Sequence, residues 1–324
     1  MPAPAPAAPP ALPGFAGTVP ALSGIAFDGP DAALFLHGQL STDVAAMPVG
    51  SVSLSTYNSP KGRVLASLVL YRRAPESFVA LVASDLAVAL RKRLAMFVLR
   101  AKVTLADASV AHTVVGAGGD GAAAALGRVF GAVPLPGHGI SVPEGDLLTL
   151  PDGRFALLAA AATEPVLLER LGLRVEPGAF EALGIRAGVP VVTLATQDRF
   201  VAQTLNFDLL GGIHFRKGCY PGQEIVARMQ YLGRLKERLF AFAASAPPPA
   251  PGTPVVDALA PDPPAGIVIA AVAVEGGSEL LAVASFAAVE AGNLRLASAD
   301  GPALARLPLP YVVPAPTTPQ RVKL

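Results

Sequence analysis

Cysteine occurs once in 324 residues and tryptophan not at all. A single cysteine excludes an intramolecular disulfide and any all-cysteine metal cage within one chain. Charge is scarce as well as balanced. Charged residues make up 15% of the chain, with Lys+Arg 25 against Asp+Glu 24 and a formal net charge of +1. That balance argues against direct nucleic-acid binding, which calls for a strongly basic domain. Long apolar runs are missing too. Phe155–Ala162 and Ile267–Val274 extend for about eight residues, where a membrane-spanning helix needs ~20. The mean hydropathy of +0.51 comes from Ala and Val at few charges. Residues 1–20 contain no Lys or Arg and match neither a secretory leader nor a mitochondrial transit peptide. They read as a disordered Pro/Ala arm. The expectation is a cytoplasmic, monomeric protein with no membrane contact, built from two or three domains.

What is present begins with turn and helix signals. Asp31 precedes a short helix ending near Gly38. Strands are expected over Ser51–Thr56 and Arg63–Arg72, around the turn Asn58-Ser59-Pro60-Lys61-Gly62. Phe78–Val82 reads as a third strand. Leu86, Leu90, Leu94 and Phe97 recur at helical spacing after Ser84-Asp85. Val103–Leu105 and Ala156–Ala162 suggest strands, and Pro165–Leu171 and Ala179–Ala187 helices. Residues 111–150, rich in Gly and Ala, carry few signals. From Leu239 onward short β-prone runs alternate with Pro/Gly clusters, the pattern of a small C-terminal barrel or sandwich.

The most unusual stretch is Asn206–Arg228. It holds the only cysteine, Cys219, framed by Gly218 and Gly222, with a helix expected from Gln223. A helix N-terminus and the cations Lys217 and Arg228 would favour the thiolate. The residues alone leave two readings open: a reactive or ligand-facing thiol, and a small buried side chain. Lys217, Arg228, Arg234, Lys236 and Arg238 outnumber Glu224 and Glu237 locally, which suits an anionic ligand and equally an exposed hinge. Arg91, Lys92, Arg93, Arg100 and Lys102 read as a solvated helix face or as a patch for anions. His37, His112, His138 and His214 are scattered, so no resident metal is expected.

Lys217-Gly218-Cys219-Tyr220-Pro221-Gly222-Gln223-Glu224 with Val226-Ala227-Arg228 resembles the signature of the YgfZ family of folate-binding proteins. That family lies within the superfamily of the glycine-cleavage T-protein, an aminomethyltransferase, and is related to IBA-type iron–sulfur assembly factors. Asp31–Val44, Ser59–Ser67, Ile185–Pro190 and Gln203–Asp208 resemble its other blocks, in the expected order. The resemblance implies an α+β, three-domain ring: a discontinuous ferredoxin-like folate-binding domain (21–50 and 140–238), an inserted α+β domain (51–139) and a C-terminal β-barrel (239–313). The arm (1–20) and a loose tail (314–324) flank it. It further implies tetrahydrofolate or a polyglutamylated derivative as ligand, held by Lys217, Gln203, Asn206, Tyr220, Gln223, Glu224 and Arg228, with Cys219 as the reacting group. Gln203 stands about where the T-protein has a pterin-recognising glutamate. The implied role is support of iron–sulfur cluster assembly or repair alongside assembly or client proteins, with an indirect effect on iron–sulfur-dependent tRNA modification. A one-carbon transferase and a non-catalytic interaction module are the alternatives. Where the T-protein carries acids, this chain has Ala66 and Ser67, which cannot hold or deprotonate an amine.

Overall fold

The computed structural model describes residues 11–233 and 235–315. In chain order the first elements are β1 (Phe15–Thr18), β2 (Leu22–Asp28), α1 (Ala32–His37), β3 (Val52–Asn58), β4 (Val64–Ala74), β5 (Ser77–Ala83), α2 (Ser84–Ala95) and β6 (Thr104–Asp107). Then come β7 (His112–Gly118), α3 (Ala122–Phe130), β8 (His138–Val142), β9 (Gly145–Thr149), β10 (Phe155–Ala160), α4 (Glu164–Leu171), α5 (Ala179–Arg186) and α6 (Gln223–Leu232). The last are β11 (Glu237–Ala244), β12 (Pro254–Asp257), β13 (Gly266–Val274), β14 (Gly277–Ser285), α7 (Phe286–Ala291), β15 (Leu294–Leu296) and β16 (Ala305–Leu307).

The strands form three antiparallel sheets, ordered β3-β4-β5-β2-β6, β1-β7-β10-β9-β8 and β15-β12-β13-β14-β11-β16. The first two pack face to face. Alternation along β5 shows how: Phe78, Ala80 and Val82 enter the core under α1 and α2, while Val79 and Leu81 meet Val114, Leu148 and Leu158 of the second sheet. A strand buried on both faces reads as a continuous apolar run. On α2 the expected stripe holds for Leu86, Leu90 and Leu94, which are buried, and ends before Phe97, which is 43% exposed. α3 and α4 cover the outer face of the second sheet. The third sheet curls on itself. Leu296 and Leu304 bond across to Pro302 and Leu294, and Arg295 bridges Ala303, which joins the β15 edge to the segment entering β16.

The sheets divide the chain differently from the expected 21–50/140–238 and 51–139. One sheet takes its strands from 22–107, the other from 15–18 and 112–160. The expected arm is also shorter, because Phe15–Thr18 pairs with β7 and Phe15 is 2% exposed. Residues 1–10 and 316–324 of the arm and tail lie outside the described residues. The silent stretch 111–150 holds four elements. Its glycines explain the silence: a Cβ on Gly116 would sit 2.5 Å from the Phe180 ring, and one on Gly118 2.6 Å from Leu183. α5 packs so closely on β7 that the β-branched residues that mark a strand are excluded there.

Between α5 and α6, residues 187–222 contain no helix or strand, yet much of the segment is buried. One ionic node holds it. Arg238 of β11, 6% exposed, donates to both oxygens of Asp208 (2.7 and 2.9 Å), to the Gln203 carbonyl (2.8 Å) and to Asn206 Oδ1 (3.2 Å). Asn206, at φ +62, donates from Nδ2 to the Leu239 carbonyl. Removing one partner of a buried pair leaves the other charge uncompensated, at a cost of about 3–5 kcal/mol. Arg238→Met should therefore lose about that much stability in urea denaturation, and Arg238→Met/Asp208→Leu should recover part of it.

Candidate functional site

The loop Arg216–Gly222 enters α6 through a contact between two glycines. Gly222 (φ +76) lies against the Ser59–Gly62 turn, where a Cβ would meet the Ser59 carbonyl at 2.5 Å. Gly62 (φ +72) faces Ile225, where a Cβ would meet it at 2.7 Å. Neither position tolerates a side chain. Two separated blocks of sequence are thus parts of one joint. Gln223 donates to the Lys217 carbonyl at 3.2 Å and closes the loop across the thiol.

Lys217 is buried beneath this loop. Its ammonium donates to the carbonyls of His37 and Leu40, the latter at 2.6 Å, and sits 4.8 Å from the Tyr220 ring centroid. Burial pulls its pKa down to about 8, against smaller upward effects of Asp43 and Cys219. Tyr220, 6% exposed, has its phenol pushed up to about 12 by burial. Cys219 itself is exposed, which excludes the reading of a buried small residue. Glu224 and Arg228 lie on the exposed side of α6, the glutamate in the first turn, where the helix dipole favours it.

The other expected residues lie apart from the thiol's surroundings. Gln203, 1% exposed, donates from Nε2 to the Val226 carbonyl at 2.7 Å, and its Oε1 is buried without a partner. Asn206 belongs to the Arg238 node. The local cations do not form one patch either: Lys217 and Arg238 are buried, Arg228 and Lys236 exposed, and Arg234 lies outside the described residues. His214 is exposed.

A separate cavity of about 180 Å³ opens where the first two sheets, α5 and β13 meet. Its walls are mostly apolar, among them Leu68, Phe180, Ile185, Phe207 and Ile269. None of the eight residues expected at the site lines it. Ser67, at the position expected to hold an acid in a transferase, does line it, and its Oγ accepts from the Val192 amide at 2.9 Å. The sequence reading missed a carboxylate here. Glu181 lines this cavity and a second one of about 280 Å³, and the two share Val19, Phe180 and Glu181. Glu181 has no hydrogen bond or ion pair with any described residue. Arg154, also on the wall, is paired with Asp152 and stacks on Phe180, its guanidinium 4.4 Å from the ring centroid. The available signal was a lone acid in the otherwise apolar run Ala179-Phe180-Glu181-Ala182-Leu183. Among the described residues, no grouping of three or more His, Cys, Asp or Glu could hold a metal ion, and no helix is long and apolar enough to cross a membrane.

The lowered Lys217 pKa has a consequence for stability. The unfolded chain holds the proton up to about pH 10.5, the folded chain only up to about 8. Between these values the unfolded state binds more protons, so folding stability rises with pH. The difference in unfolding free energy between wild type and Lys217→Met should climb from pH 8 to 10, toward a total of about 3 kcal/mol at one pKa unit per 1.36 kcal/mol. A flat difference in urea denaturation would show that the amine is not held in this way.

No family model matches the chain. Curated relatives do. The tRNA-modifying protein YgfZ of Serratia proteamaculans is 33% identical over 223 residues, 67% of each chain. That of Sodalis glossinidius is 31% identical over 300 residues, 89% of this chain and 90% of the relative. The glycine cleavage system aminomethyltransferase T of Bartonella henselae superposes with a TM-score of 0.73 at 18% identity, covering 92% of this chain and 86% of the other. The architecture is therefore the α+β ring of the aminomethyltransferase type, and by its sequence the chain belongs to the YgfZ family.

Proposed function

We propose that the protein binds a reduced folate in the cavity between the sheets, and through it and Cys219 supports iron–sulfur cluster assembly or repair. Its relatives' name would then reflect an indirect effect on tRNA modification by iron–sulfur enzymes. The observation that carries the binding half is the unpartnered Glu181 carboxylate on an apolar wall. Ligand sites are mostly apolar with a few placed polar groups, and a cavity of 150 Å³ already admits a benzene-sized ring. Phe180, Ile185 and Phe207 suit the faces of a pterin ring. Glu181 can accept two hydrogen bonds from the ring's amino and N–H edge, and a carboxylate acceptor makes these the stronger kind. When bound, a tetrahydrofolate supplies one-carbon chemistry at its reduced ring; the protein's residues exclude water and fix its orientation. The exposed Cys219 suits contact with a partner protein, because one thiol can supply at most one ligand to a shared cluster.

Glu181 also favours a second reading, a folate-dependent one-carbon transferase. The acid missing at Ala66 and Ser67 is supplied in the same cavity by a different element, so a carboxylate is available to an amine there.

Titration calorimetry tests the binding. Tetrahydrofolate should give a saturable heat with wild type, and Glu181→Gln should weaken binding about tenfold or more, the worth of a charge-assisted hydrogen bond. No heat at millimolar ligand would refute folate binding, and equal affinity of the variant would remove Glu181 from the site. In a glycine-cleavage assay, turnover absent from wild type would favour the accessory role, and turnover lost on Glu181→Gln the transferase.

A further inference from the structure

The outer side of α2 and the loop that follows it form a surface that the folate reading does not use. Val88, Lys92 and Met96 stand at i, i+4 and i+8 and make one exposed row that reads apolar, cation, apolar. Ala89 and Arg93 flank it, and Phe97, Leu99 and Arg100 extend it past the helix end. Met96 is 65% exposed and Leu99 90%. Residues 86–106 contain no Asp or Glu. Among the described residues, none of Arg91, Lys92, Arg93, Arg100 and Lys102 forms an ion pair.

Two observations set this surface apart from an ordinary solvated helix face. Leu99 has φ +34, in the left-handed region that glycine, and after it asparagine and aspartate, adopt most easily. A leucine held there with its side chain in water contributes nothing to the core. The loop that carries it is also pinned. The amides of Met96, Phe97 and Val98 donate to the carbonyls of Arg93, Leu94 and Ala95 at 3.2, 2.9 and 3.2 Å, and Val98 and Ala101 pack onto the core. The Lys102 amide donates to Asp31 Oδ2 at 2.7 Å and ties the loop to the start of α1. An apolar tip on a fixed backbone loses little freedom when it makes a contact. The helix dipole accounts for Lys92 and Arg93 in the last turn, but not for the exposed Met96 and Leu99 beside them.

The order of side chains selects the occupant. Cations lie between apolar groups along the face, so the complement is a segment with carboxylates between apolar residues. Arginine, methionine and aromatic side chains are enriched in protein–protein interfaces. Nucleic acid fits less well: its phosphates would meet the cations but leave Val88, Met96 and Leu99 in water, with Phe97 as a single ring for base stacking. A lipid surface also fits less well, because a helix lying in a membrane separates its cations and apolar residues onto opposite faces. We propose that residues 88–102 dock an acidic, apolar segment of a partner protein, with Met96 and Leu99 as apolar anchors and Lys92 as the central charge. The inference requires neither folate nor a reaction at Cys219.

The test is fluorescence anisotropy of the full-length protein with a labelled, Ala-rich helical peptide whose row at i, i+4 and i+8 reads Leu, Glu, Leu. A control peptide carries Lys in place of Glu. The Glu peptide should bind saturably, and more weakly as salt rises through about 0.1 M; the Lys peptide should not bind. Lys92→Glu should weaken the Glu peptide about tenfold or more. Leu99→Asn should weaken it about tenfold while its midpoint in urea stays at or above that of wild type, because asparagine accepts the left-handed backbone more easily. A lower midpoint would make Leu99 a structural residue and overturn its role as an anchor. No saturable binding of the Glu peptide at millimolar concentration, equal binding of both peptides, or affinity unchanged by Lys92→Glu would overturn the proposal. So would tighter binding of a uridine oligonucleotide or of phosphatidylglycerol vesicles that Lys92→Glu abolishes, since RNA or a lipid surface would then be the occupant.

Discussion

The buried guanidinium of Arg238 is the interaction on which the centre of the molecule depends. Residues 187–222 cross the interior without helix or strand, and buried backbone groups need partners wherever they lie. Arg238 answers one of those needs at the Gln203 carbonyl and holds the same stretch through the side chains of Asn206 and Asp208. Because Arg238 belongs to the first strand of the barrel, the same node ties the irregular segment to the third sheet. A second bidentate pair, Arg186 to Glu279 at 2.7 and 2.9 Å, ties α5 to β14. Two ion pairs thus hold the start of the irregular segment, at Arg186, and its middle, at Asp208.

This segment separates two chemistries. The cavity between the sheets is apolar and holds one free carboxylate; the thiol stands in the open beside α1 and the start of α6. The roles proposed for the two places make different physical demands. An aromatic ligand gains by leaving water for apolar walls, whereas a thiol that meets a partner or a reagent needs access. Lys217 belongs to the second place. A buried ammonium over carbonyls and an aromatic ring is costly to desolvate, and its lowered pKa measures that cost.

The elements with strong local patterns were legible in advance. Leu86, Leu90 and Leu94 mark α2, the Asn58–Gly62 turn marks the hairpin of β3 and β4, and the late β-prone runs mark the barrel strands. The stretch 111–150 was not, because β7 gives up side chains at Gly116 and Gly118 to admit Phe180 and Leu183. At the site, the cysteine motif was visible as a motif, but charge counting put Lys217 and Arg238 in one group of cations, suited to an anionic ligand or to an exposed hinge. Burial removes both from it: one is spent on carbonyls, the other on Asp208.

What the sequence determined by itself is therefore local and compositional. It set one thiol per chain, no span long enough for a membrane helix, the main helices and hairpins, and a run of blocks specific enough to indicate the family. What only the tertiary structure decided is which distant groups meet. Glu181 and Ser67 share a cavity, Gly62 and Gly222 touch, and His37 reaches the backbone before Cys219. No periodicity encodes these meetings. They follow from how two sheets and a barrel close around an irregular segment, and that closure depends on packing and buried polar pairing summed over the whole chain.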